Sequence, residues 1–101
     1  MAKFYKTNGV VKEVKPKNGE TFSFQELQFF IGSGQNEMVE IVPLPSGKLI
    51  IVNEEGKLIG LEKNEEATKF WKEEYPIEKY PVNNDELIVG NALVAEEKEI
   101  N

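Results

Sequence analysis

Three side chains on which most catalytic and metal sites depend are missing: the chain has no cysteine, no histidine and no arginine. Without thiols there is neither a disulfide nor a thiolate nucleophile, and without imidazole nothing titrates near neutrality or ligates zinc in the usual way. Most hydrolase templates go with them. All 12 cations are lysines, so a phosphate would meet point charges and backbone amides, never the bidentate guanidinium fork. Aspartate is nearly absent as well, Asp85 being the single one among 18 acids. No apolar run approaches the roughly 18 residues of a membrane-spanning helix. The opening MAKFYKTNGVVKEVK also lacks the apolar centre of a secretory signal. The expectation is a cytoplasmic protein that does not enter a membrane.

What is present suits one small domain. With 101 residues, 40% of them hydrophobic, the chain can bury a modest core, and a net charge of -6 favours solubility. The same charge repels nucleic-acid phosphate at long range, which makes duplex DNA a poor partner. No repeat and no linker divides the sequence. Residues 1–101 therefore read as a single domain, with a core over about 3–95 and an acidic tail, 96–101, expected to fray.

GVVKEVKP sets Val10, Val11 and Val14 among Lys12, Glu13 and Lys15, as a strand with one wet face does, and stops at Pro16 before the turn KNGE. In SFQELQFFIG, Ser23 and Glu26 make a capping box, Phe24, Leu27 and Ile31 recur at helical spacing, and Gly32 is a stop signal. VEIVPLPSGKLIIVNEEGKLIG, residues 39–60, holds three apolar runs separated by two turn signals, the pattern of a β-meander. KNEEATKFWKEEYP reads as a second helix, with Asn64 as N-cap, Glu65 and Glu66 at the positive end of its dipole, and Pro76 past its last turn. Ala67, Phe70, Trp71 and Tyr75 can share one face of it. ELIVGNALVAEE supplies one more strand or a broken pair, and Gly90 there signals a bulge or a close approach. The fold class expected is α+β: a small, mostly antiparallel β-meander sheet with two short helices packed on it.

The stretch EIVPLPSGKLIIVNEEGKLIGLEKN, with FQELQFFIG before it and DELIVGNALV after it, resembles a domain-of-unknown-function family of phages, plasmids and other bacterial mobile elements. The similarity runs from about Val14 to Val94. That family has no established activity, so the resemblance implies only a context: a small accessory protein acting in the cytoplasm of a bacterial host. Its polar positions are matched by Asn53, Glu54, Gly56 and Asn64, together with Gly90. Leu-Glu-Lys-Asn stands where such sequences often read Leu-Pro-x-Asn, which puts the loop before the second helix in question.

Candidate sites compete with plainer readings. The turn Asn53-Glu54-Glu55-Gly56 could present carboxylates for acid and base work or for a hard cation, but adjacent glutamates on a turn ordinarily point apart into water. The alternating acids of an EF-hand are absent. GSGQ at 32–35 resembles a phosphate cradle in reverse order, since its glycines follow a helix where a cradle precedes one. VNNDE at 82–86 could hold calcium weakly, yet Asn and Asp are ordinary turn formers. Among the aromatics, Phe70 and Trp71 fit a core, whereas Tyr5, Tyr75 and Tyr80 have polar ends suited to an edge or interface. Lys48, Lys57 and Lys69 read as solvated charges unless a ligand gathers them.

Subtraction shapes the functional expectation. No nucleophile is paired with an evident activator, so no catalytic residue, metal ligand or cofactor is assigned and the protein is not expected to be an enzyme. The first expectation is a counter-defence accessory protein that sequesters a nucleotide-type host immune signal, with Lys48, Asn53, Glu54, Asn64, Tyr75 and Tyr80 as ligand-binding candidates. A chain this small has little room for a deep cavity, so the sites are expected between subunits of a homo-oligomer. The alternative is an acidic inhibitor of a basic host protein, acting as a DNA mimic.

Overall fold

The computed structural model describes residues 2–32, 38–54, 60–74 and 87–100. Within them are strands β1 (Ala2–Tyr5), β2 (Val11–Val14), β3 (Val39–Pro43), β4 (Lys48–Asn53) and β5 (Ala92–Glu96), helices α1 (Phe24–Ile31) and α2 (Glu65–Glu74), and a short 3₁₀ turn at Glu97–Glu99. The strands form one sheet in the order β2-β1-β5-β4-β3, antiparallel at each step. The α+β class with an antiparallel sheet and two packed helices is the one expected.

Strand alternation decides which helix each residue meets. Phe4, Leu93 and Ile51 stand side by side across three strands, and they belong to the core that also holds Leu27 and Ile31 of α1. The neighbouring residues Tyr5, Ala92, Val94 and Ile50 point the other way and form a second core with Ala67, Phe70 and Trp71 of α2. The helices thus lie on opposite faces of the sheet. The central strands β4 and β5 are consequently apolar on both sides, as LIIV and ALVA require.

Two hairpins close with the same loop chemistry. In the first, the N–H of Lys6 donates to the Val10 carbonyl (2.9 Å) and that of Gly9 to Lys6 (3.0 Å); in the second, Leu44 donates to Lys48 (2.8 Å) and Gly47 to Leu44 (3.0 Å). Gly9 and Gly47 take φ of 91° and 93°, the left-handed conformation that ends a three-residue hairpin loop. The β3–β4 hairpin accounts for two of the three apolar runs at 39–60. The third does not continue the sheet at Gly60–Glu62, and Lys57–Ile59 lie outside the described residues. The second neighbour of β4 is β5, so the sheet closes through a strand from the far end of the sequence.

Helix α1 begins with the capping box its sequence announces. Ser23 Oγ accepts from the Glu26 N–H (3.1 Å), and the Glu26 carboxylate accepts from the N–H groups of Ser23 and Lys17 (3.0 Å each). Those bonds hold the Glu26 carboxyl below its usual range. Leu27 and Ile31 are buried, while Phe24, at the first helical position, is 60% exposed and Phe29 is 81% exposed.

Two features depart from expectation. Ala2–Tyr5 forms an inner strand although only four residues carry the pattern, because β2 and β5 supply partners on both sides. The tail does not fray through Ile100: the Phe22 N–H donates to the Glu99 carbonyl (2.7 Å), Phe22 and Ile100 form a parallel bridge, and Glu99 is buried. The Glu99 carboxylate also accepts from the Glu96 N–H (3.0 Å). An acidic composition hid a docked segment, since a buried carboxylate oxygen with a backbone donor leaves no mark on charge patterning.

Candidate functional site: a lysine cleft beside the second helix

Asn64 fixes α2 against the sheet. It is fully buried, and its Nδ2 donates to the carbonyls of Tyr5 and Gly90 (2.9 Å each) while its Oδ1 accepts from the Ala67 N–H (3.1 Å). One side chain thus caps the helix and ties it to β1 and to the segment before β5. Thr68 extends the tie, its hydroxyl donating to the Asn64 carbonyl (2.7 Å) and accepting from the Ile88 N–H (2.8 Å). Gly90 permits the close approach: its φ is 76°, and a Cβ there would stand 2.7 Å from Leu61 Cδ1. This commits both ends of the Asn64 amide to the fold, so its role is architectural and it is not a ligand-facing group.

With α2 so placed, a cleft of about 420 Å³ opens between it and strands β1, β5 and β4. Lys3 and Lys48 enter it from the sheet, Lys69 enters it from the helix, and the rings of Tyr5 and Phe70 stand beside them. Register explains the convergence: Lys3 is opposite Val94 and Lys48 is opposite Glu96, and these two β5 residues share the α2 side. The two rings stack with centroids 5.8 Å apart and planes 24° from parallel. Among the described residues, none of the three lysines is in ion-pair contact with a carboxylate, whereas Glu96 pairs with Lys98 outside the group (3.4 Å). Acid is nevertheless close, because Glu66, Glu73, Glu74 and Glu96 also line the cleft. Burial first, and then the charges of Glu66, Glu73 and Glu74, push the Tyr5 hydroxyl above its usual value.

Asn53 and Glu54 lie elsewhere. They border a smaller and more apolar cleft of about 230 Å³, walled by Val42, Val52, Trp71 and Ile88. Asn53 is itself buried. The structure therefore splits the candidates: Lys48 joins the charged cleft, Asn53 and Glu54 the apolar one, and Asn64 the interior. Tyr75 and Tyr80, like VNNDE at 82–86, fall outside the described residues, as do residues 33–35 of GSGQ. Gly32 does end α1, donating its N–H to the Gln28 carbonyl (2.8 Å).

In the sequence Lys69 reads as a solvated charge and Phe70 as a core ring, so both are left out of the site, as are Lys3 and Tyr5 near the start of the chain. For Lys3 and Tyr5 the signal was the alternation in AKFY, which puts both on one side of a strand. Among the described residues there is no group of three or more acids placed to hold a metal ion, and no helix is long and apolar enough to cross a membrane. No protein-family model, curated protein or solved structure matches the chain.

Proposed function

We propose that the protein is a non-catalytic binding module that sequesters a small nucleotide-type ligand in the lysine cleft, serving a phage or mobile element in the cytoplasm of its bacterial host. One observation carries the reading: Lys3, Lys48 and Lys69 converge beside the Tyr5–Phe70 stack with no ion pair among the described residues. Three ammonium groups supply donors for phosphate oxygens, and an aromatic edge beside them suits a base. All three lysines come from one chain, so the phosphate end of this site does not depend on a second subunit. The host context rests on the resemblance of EIVPLPSGKLIIVNEEGKLIGLEKN to the mobile-element family.

The test is a titration of isotopically labelled protein with cyclic mono- and dinucleotides, followed by amide chemical shifts. Saturable shifts at Lys3, Lys48 and Lys69 are expected, and Lys48→Glu should weaken binding at least about tenfold, as replacing an attraction by a repulsion beside phosphate does. Absence of saturation by every nucleotide at millimolar concentration would overturn the proposal.

A second reading has its own observation. The four glutamates outnumber the three lysines of the cleft, and the charges of Glu66, Glu73 and Glu74 add to burial in raising the Tyr5 pKa, which marks a negative local field. That field suits an acidic inhibitor of a basic host protein. Such a complex would weaken steeply with salt, would tolerate Lys48→Glu and would be lost on reversal of Glu73 and Glu74.

A further inference from the structure

Tyr5 gives the lysine cleft a requirement of its own. The residue is 9% exposed, lines the cleft and stacks on Phe70. Buried hydroxyls nearly always have a hydrogen-bond partner, yet among the described residues no group bonds the Tyr5 hydroxyl. Its oxygen is not sealed from the cleft, so the bond is left for an occupant. Burial and the neighbouring carboxylates favour the neutral phenol, which can donate to one group and accept from another.

The charges of the cleft limit what can enter it. Four glutamates line it with the three lysines, and the register faces two of those lysines with carboxylates: Glu96 stands directly opposite Lys48, and Glu13 of β2 directly opposite Lys3. Neither lysine is in ion-pair contact among the described residues, so each ammonium keeps its donors while the carboxylate facing it offsets part of its charge. Donors are plentiful there and net positive charge is not. A terminal phosphate carries about -1.5 to -2 at neutral pH and a polyphosphate more, whereas a phosphodiester carries a single charge. Carboxylates that repel a dianion are good acceptors for sugar hydroxyls, the contact by which acidic side chains hold ribose.

We propose that the ligand of this cleft is a cyclic ribonucleoside monophosphate: its singly charged phosphodiester meets Lys3, Lys48 and Lys69, its base meets the Phe70 side of the ring stack, and its free ribose hydroxyl is held by the Tyr5 oxygen and the glutamates. The inference rests on the nucleotide reading above and narrows it. A volume of about 420 Å³ lies toward the lower end of small-molecule pockets and suits one nucleoside unit. The glutamates that argue against a highly charged nucleotide are, for this ligand, the groups that recognise its sugar.

Isothermal titration calorimetry on the full chain, without divalent cations, compares cyclic AMP and cyclic GMP with their 2′-deoxy analogues, AMP, ATP and cyclic di-AMP. A cyclic ribonucleoside monophosphate should bind best, with AMP and ATP at least about tenfold weaker through repulsion and the 2′-deoxy analogue at least about fivefold weaker through the lost hydroxyl contact. Tyr5→Phe keeps the ring stack and should weaken the cyclic ligand about fivefold while shrinking the 2′-deoxy difference, a pairing of effects that a merely structural role would not produce. Combined Glu66→Gln, Glu73→Gln and Glu74→Gln should bring AMP to within about threefold of the cyclic ligand. If no nucleotide saturates the protein at millimolar concentration, the sequestration reading fails and this inference with it. If nucleotides do bind, but AMP, ATP or cyclic di-AMP binds as tightly as the cyclic monophosphates, or the 2′-deoxy analogues match their parents, sequestration stands and this inference is overturned.

Discussion

The two faces of the sheet hold their helices by different means. On the α1 side the contact is made of rings and branched aliphatics: Phe30 packs edge-on against Phe4 (centroids 4.9 Å) and Phe22 (5.9 Å), above Ile51 and Leu93. On the α2 side an amide carries the attachment, since Asn64 bonds three backbone groups from separate parts of the chain. Apolar packing is non-directional and tolerates small shifts, whereas a buried amide with fixed partners sets position and angle. The side that opens into a charged cleft is therefore the side whose helix is pinned.

Removing the pin should show the largest effect. Asn64→Ala leaves the Tyr5 and Gly90 carbonyls and the Ala67 N–H without this partner, and a loss of about 3 to 4 kcal/mol is expected from a missing cap plus stranded buried groups. Urea denaturation measures it, and a loss below about 1 kcal/mol would dissolve the distinction between the faces. Phe30→Ala tests the other side. It should cost about 2 to 3 kcal/mol, less than full burial would give because Phe30 is only half-buried. The smallest effect belongs to pH. A Tyr5 hydroxyl raised above 10.0 stabilises the fold in its neutral form, fully so below that value, and the contribution is lost as pH rises from there through the raised pKa. Tyr5→Phe should accordingly flatten the alkaline limb of thermal stability. An unchanged limb would mean that neither burial nor the glutamates of the cleft raise the pKa of this phenol.

The elements with local signatures were legible in the sequence. The Ser23–Glu26 box, the Asn64 cap and the PSG turn each satisfy backbone groups a few residues away, so their chemistry is written in adjacent letters. The strand order was not, because pairing of β1 with β5 is decided by partners some ninety positions apart. The lysine cleft was hidden for the same reason. Lys48 was a candidate with no neighbouring cation assigned to it, and only the register that sets Lys3 beside Val94 and Lys48 beside Glu96 brings the two to one side. Asn64 was legible as a cap, but its bonds to the Tyr5 and Gly90 carbonyls are tertiary and turned a candidate ligand contact into an interior anchor.

The placement of β5 bears on how the molecule is made. It is the last of the five strands to leave the ribosome, yet it lies between the β1–β2 and β3–β4 hairpins and is the strand that joins them. During synthesis each hairpin can close by itself, and isolated two-stranded ribbons are marginal in water. The sheet is completed only when Ala92–Glu96 emerges and slides into the gap, so the domain is expected to fold after that strand is available and not hairpin by hairpin. A nascent chain stalled short of that strand should be readily cut by protease, and emergence of the strand should bring resistance in one step.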